Sequence, residues 1–225
     1  NPMAPHSQRV SRMQTRRCSR RLSLDIPRTP TQHHTIMKTA LTLLLACALP
    51  CLAQAGILQN PASSGLSIQS AGPLAFAPGG TLLIGESATG SIIAVDTGDT
   101  GPVQKLAAPV DDAVKKIAEL LGCDAAGIVI SDLTVNPESG KAYLGINQKS
   151  GKGAAIVSVS ADGSLAKLDL AALPHLRVAL PKPETGGQLR SITGVAHAGD
   201  RLLATGQSNE EFSSKIFSIP LPLTP

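Results

Sequence analysis

Between residues 72 and 220 the apolar residues come in short bursts, cut by glycine, proline and acids. Leu74–Phe76, Thr81–Ile84 and Ser91–Val95 are three such bursts. Pro78-Gly79-Gly80 and Thr89-Gly90 separate them, and the polar run Asp96-Thr97-Gly98-Asp99 closes them. Runs this short between turn-forming residues predict strands, and three in succession predict an antiparallel meander. The same order recurs twice. Asp132–Asn136, Lys141–Asn147 and Ala154–Val159 predict a second meander, and Ile192–Ala196, Arg201–Gly206 and Lys215–Ile219 a third. The spacing of about sixty residues is long for a repeat but fits meanders with insertions. In the first insertion Val114, Ile117, Leu120 and Leu121 fall at helical spacing. They predict one short helix over about 112–121, capped by Asp111 or Asp112 and ended by Gly122. The second insertion, Leu173–Gly187, is rich in proline and glycine and predicts an irregular loop.

The front of the chain follows other rules. Residues 1–36 hold seven arginines against one acid, Asp25, with almost no apolar periodicity, which predicts a disordered leader. Such a leader is either a basic arm for nucleic acid or anionic lipid, or sequence upstream of the true start. Met37 favours the second: Lys38, the apolar run Ala40–Leu49 and Ala53-Gln54-Ala55 have the order of a secretory signal over 37–55. Cys47 after Leu44-Leu45-Ala46 leaves a lipoprotein signal as a rival. The apolar run is too short for an ordinary membrane span. The expectation is an exported protein, periplasmic or secreted, whose mature chain is 56–225 and has no transmembrane span.

Export changes the meaning of charge and cysteine. The whole chain carries a formal +4, but the leader and Lys38 account for more than all of it, so residues 56–225 are slightly acidic. The basic balance therefore gives no reason to expect a nucleic-acid partner. Of the four cysteines only Cys123 lies beyond the signal, so no intramolecular disulfide can form in the mature chain.

The string from Pro78 through Thr81–Ser87 to Ile92–Asp96 resembles a blade of the NHL-repeat and gluconolactonase-like β-propeller superfamily. The full run, including residues 183–188 and 208–212, also resembles uncharacterised exported bacterial proteins, and the likeness covers most of residues 70–220. The resemblance implies an all-β chain: about three meander blades of an incomplete β-propeller, at about 72–105, 130–170 and 190–220. Propellers close with four or more blades. Three blades therefore imply a truncated propeller, pairing with another copy, or sheets that pack without closing, with truncation ranked first. Each terminal meander lacks a neighbour, so self-association and marginal stability are expected of 56–225.

Candidate chemistry is sparse. Aligning the meanders brings Glu86, Asn147 and Gln207-Ser208 to the same place, just after each second strand. The resemblance implies that carboxylates and amides at such strand ends hold calcium or magnesium in a central channel. Asp132 is a further oxygen donor, though a turn or cap explains it more simply. Asp96–Asp99 lacks the spacing of a calcium loop, and Gly151-Lys152-Gly153 lacks that of a phosphate loop. His175 and His197 are too far apart in sequence for a zinc site, and no Gly-x-Ser-x-Gly elbow is present. One tyrosine and no tryptophan argue against stacking platforms. The sequence thus reads as an exported binding or scaffold module for an unidentified small molecule or protein, requiring no cofactor. A metal-dependent lactonase-like hydrolase and a truncated fragment without independent function are the alternatives.

Overall fold

The computed structural model describes residues 56–149, 153–183 and 186–225, within the compact unit Cys51–Pro225. The arginine-rich stretch 1–36, the expected export signal at 37–55 and the tip at Gly151-Lys152 lie outside the described residues. In chain order the elements are β1 (Leu74–Ala77), β2 (Thr81–Glu86), β3 (Ser91–Asp96), α1 (Ala113–Leu121), β4 (Ile128–Val135), β5 (Ala142–Gln148), β6 (Ala154–Val159), β7 (Leu165–Lys167), β8 (His175–Ala179), β9 (Leu189–Ala198), β10 (Arg201–Ser208) and β11 (Ser214–Pro220). Single 3-10 turns at Ala125–Gly127 and Leu170–Ala172 join some of them.

The strands form three antiparallel sheets, in the orders β1-β2-β3-β8, β4-β5-β6-β7 and β9-β10-β11. The fold is mostly β with one helix. Every residue of β2 and all but the last of β3 are buried. A strand covered on both faces has no solvent side, so Thr-Leu-Leu-Ile and Ile-Ile-Ala-Val run apolar without alternation. Leu82, Ile84, Ile93 and Val95 point from the first sheet to Tyr143 and Ile156 of the second. Leu83, Ile92 and Ala94 point the other way, to Ile192, Leu202 and Ala204 of the third. The first sheet in sequence is therefore the middle one in space, with the second on one face and the third on the other. β10, by contrast, alternates strictly between exposed and buried positions, as a strand with one solvent face must.

Two details differ from the sequence expectations. The stretch Leu173–Gly187 is not all irregular: it supplies β8, which pairs with β3 from Ser91↔Ala179 to Val95↔His175 and completes the first sheet. Pro174 and Pro181 flank a strand too short for its alternation to stand out, and an edge position tolerates prolines on either side. The helix starts at Ala113 and ends at Gly122 in the left-handed conformation (φ 66°), as its sequence suggests. Asp112, however, makes no side-chain cap. Its buried positions are Ile117 and Ala118, which cover Leu144, Ile146 and Val157 on the outer face of the second sheet, while Val114 and Leu120 are exposed.

The ends of the described region tie together. Leu58 bridges Leu223, with Gln59 N–H donating to Leu223 C=O at 2.8 Å and Leu223 N–H to Ile57 C=O at 2.7 Å. Ala62 in turn pairs with His175 at the outer edge of β8. Leu223 is only 1% exposed and packs into the core between the first and third sheets. Leu223→Ala should thus cost about 2–5 kcal/mol, read as a lowered urea midpoint with an unchanged slope. A midpoint within error of the parent would mean that the closing segment does not contribute to the core.

Candidate functional site

The polar side chains singled out in the sequence do come together, and what they grip is the chain itself. Residues 66–74 run as a strap between the first and second sheets, with Leu66, Ile68 and Ala71 buried. A strap in this position cannot complete a ladder along its length, so its amides need other acceptors. Glu86 Oε1 accepts from Gln69 N–H at 2.5 Å, and Asp132 Oδ2 from Leu74 N–H at 2.7 Å. Asn147 clamps Ala71 at both ends, accepting from its N–H at 2.8 Å and donating to its C=O at 2.7 Å.

Glycines let the strap lie this close. A Cβ on Gly85 would stand 2.8 Å from the Pro73 ring, and one on Gly145 would stand 2.8 Å from Ser131 Oγ and 3.2 Å from Ala71 Cβ. Gly72 and Pro73 can then exchange backbone bonds with Gly85, at 2.8 and 2.9 Å. The third meander carries the same signature at Gly206-Gln207-Ser208, but no strap crosses it. There the buried Ser208 hydroxyl donates to Glu210 at 3.1 Å, and Gln207 is exposed.

Glu86 is fully buried and is the charged centre of the arrangement. It also accepts from Thr89 Oγ1 at 2.5 Å and pairs with Arg177, whose second nitrogen donates to Ser67 C=O at 2.8 Å. Burial alone would raise the Glu86 carboxyl; the hydrogen bonds from Thr89, Gln69 and Arg177 outweigh that and hold it below its ordinary value. The oxygens of Glu86, Asn147 and Asp132 are thus occupied by backbone and side-chain donors, and this arrangement does not fit a metal-ligand set. Among the described residues no group of three or more His, Cys, Asp or Glu side chains could hold a metal ion.

A second polar knot was not legible in the sequence. Asp99, just past β3, accepts at Oδ2 from Ser139 Oγ (2.6 Å), Tyr143 OH (2.9 Å) and Asn136 Nδ2 (3.0 Å), while Lys141 Nζ lies 3.3 Å from Oδ1. Burial works against the Asp99 charge, but these donors, Ser139 foremost, bring its carboxyl below the ordinary value. Tyr143, buried and facing that carboxylate, is pushed well above the usual phenol range. Its ring meets Phe76 edge-on at 5.0 Å. The signals for this knot were present: Tyr143 is the only tyrosine of the chain, and Asp99 ends the first meander. Nothing in spacing, however, connects Asp99 to a turn some forty residues on.

A groove of about 530 Å³ opens beside the Glu86–Arg177 pair, and a smaller hollow of about 200 Å³ is lined by Asp99, Ser139 and Lys141 themselves. The β2–β3 hairpin tip (Ser87–Gly90), the segment after β8 (Leu180–Pro183) and the approach to β9 (Gly187–Leu189) line the groove, with Lys182 as its cation. Thr89 belongs to both the groove and the Glu86–Arg177 pair. Among the described residues no helix is long and apolar enough to cross a membrane. In comparisons with known proteins, no family model, no curated protein and no solved structure matches this chain.

The two lowered carboxyls fix the sign of the acid response. Each contributes stability above its ordinary value, and that contribution is lost as pH falls through the lower folded value. The urea midpoint should therefore fall as pH drops below about 4.5, the ordinary glutamate value. Glu86→Gln and Asp99→Asn should each flatten that fall and cost about 1–3 kcal/mol at neutral pH. A variant with the parent's acid profile would remove that carboxylate from the account.

Proposed function

We propose that this chain is an exported binding or scaffold module built from propeller-type blades, with the groove beside Thr89 and Lys182 as its ligand site. The observation that carries the reading is the division of labour among polar groups. Glu86, Asn147, Asp132 and Asp99 are spent on holding sheets and strap together, which makes a rigid frame. The groove is walled by a hairpin tip and two connecting segments, the parts of a β fold that vary without disturbing its core.

Face-to-face stacking of three antiparallel meanders, with β1 against both β4 and β9, supports blades over an open sheet. The order of a signal ahead of Gly56 supports export. The groove offers apolar surface at Pro181, Pro183 and Leu189 together with the Lys182 ammonium, a combination suited to a small apolar anion.

Two measurements test this. Mass spectrometry of the exported fraction should find a mature start near Gly56, and recovery of Arg9–Arg28 peptides from folded cytoplasmic protein would overturn export. Anilinonaphthalene sulfonate serves as a probe of the groove: its rings fit the proline–leucine wall and its sulfonate fits Lys182. Saturable binding weakened at least about tenfold by Lys182→Glu, at unchanged melting temperature, is expected. Binding that is absent, or indifferent to that substitution, would overturn the groove as the site.

A further inference from the structure

The first two sheets each have four strands, closed at the outer edge by β8 and β7, whereas the third has three and stops at β11. Its register shows which backbone groups are left over. Leu202 faces Ile219 and Ala204 faces Phe217, while Ser208 N–H reaches Ser213 C=O at 2.7 Å and Leu221 N–H reaches Asp200 C=O at 2.9 Å. In an antiparallel ladder this turns the odd-numbered residues of 213–221 toward β10. Ser214, Ile216 and Ser218 then turn both N–H and C=O outward, and Pro220 has no N–H to turn. Among the described residues nothing pairs with that edge.

We propose that β11 is a self-pairing edge: two copies of this chain join antiparallel through β11, about a two-fold axis at Ile216, into one sheet continuous across both molecules. The edge is self-complementary, as a two-fold interface requires. Ile216 falls opposite the partner copy's Ile216, and Ser214 opposite Ser218. Each outward N–H then meets an outward C=O, and Pro220 lies beyond the last ladder bond, opposite Phe212.

Side-chain exposure supports the same axis independently. Phe212 (82%) and Ile216 (77%) are the two most exposed large apolar side chains among the described residues; Ile216 stands at the centre of β11 and Phe212 in the bend two residues before its start. Pairing covers both at once, with Ile216 against itself and Phe212 against Pro220. An exposed edge is ordinarily guarded by lysine, and β11 does carry Lys215. Its ammonium, however, is held by Glu210 at 2.5 Å, which offsets the charge that would repel a second copy. The ladder extends β10–β11 pairing by the same rule that built it. The inference uses neither the groove nor export, so it stands or falls separately from the proposed function.

Sedimentation equilibrium of the full chain tests it, with Ile216→Lys and Ser218→Pro as variants. Ile216→Lys sets two ammonium groups opposite each other, and Ser218→Pro deletes one outward donor per copy. Both positions are exposed, and an edge strand tolerates proline where its N–H faces solvent. The parent should show a monomer–dimer equilibrium, and each variant should raise the dissociation constant at least about tenfold, with a melting temperature equal to the parent's when both are measured at concentrations where they are monomeric. A parent monomeric at every concentration, a dimer indifferent to both variants, or growth beyond the dimer would each overturn the proposal. Should Ile216→Lys disturb folding, hydrogen exchange of the parent decides: the Ile216 and Ser218 amides must gain protection with concentration, and protection independent of concentration refutes the pairing.

Discussion

A sheet covered on both faces must find two separate partners, and that need organises everything described in this molecule. Leu82, Ile84, Ile93 and Val95 bury one face of the first sheet, and Leu83, Ile92 and Ala94 bury the other. At about 25 cal/mol per Å² of apolar surface removed from water, neither face can be left open without giving up much of the stability of a domain this size. The second and third meanders are those two partners. The consequence is an order in space that differs from the order in sequence: the first meander is the filling, and the chain crosses past it through β8 to reach the far side.

Stacking of this kind creates a polar problem, and the strap solves it. Residues 66–74 enter between two sheets, where their amides can neither join a full ladder nor reach water freely. Glu86, Asn147 and Asp132 accept from them, and Gly85 and Gly145 give the room. The buried charge this requires is matched by Arg177 from β8, so the strand that completes the first sheet also neutralises its one buried carboxylate. The Asp99 knot does the same job at the opposite end of the strands, tying the exit from β3 to the β4–β5 turn. Both are cases of polar groups fully satisfied within a dense interior, where each unmade bond would be costly.

The frame that results is tied at three places and leaves two parts of its surface outside those ties. The strap, the Asp99 knot and the Leu58–Leu223 bridge hold the core. The groove between the hairpin tip and the segments around β8 and β9 is one, and the outer edge of β11 is the other. The proposed ligand site and the proposed pairing edge both fall there, away from the packing of Leu82 and Ile93.

How much of this was written in the sequence follows from the range of each force. Strands, turns and the helix are set by neighbours within a few residues, so the bursts at Thr81–Ile84 and Ser91–Val95, the turn at Pro78–Gly80 and the stop at Gly122 could be read directly. The middle place of the first sheet was not: β2 and β3 run apolar without alternation, but so does Leu202-Leu203-Ala204 in β10, whose strict alternation is one of burial and belongs to the structure. The strand-end polar residues were visible as a set; their purpose was not, because Glu86 and Asn147 find their partners in a strap that no spacing rule connects to them. The Glu86–Arg177 pair, the Asp99–Tyr143 knot and the place of β8 were decided by tertiary structure alone. They join residues forty to about a hundred positions apart, and only burial, which strengthens every polar contact it encloses, makes such a contact worth the entropy of ordering it.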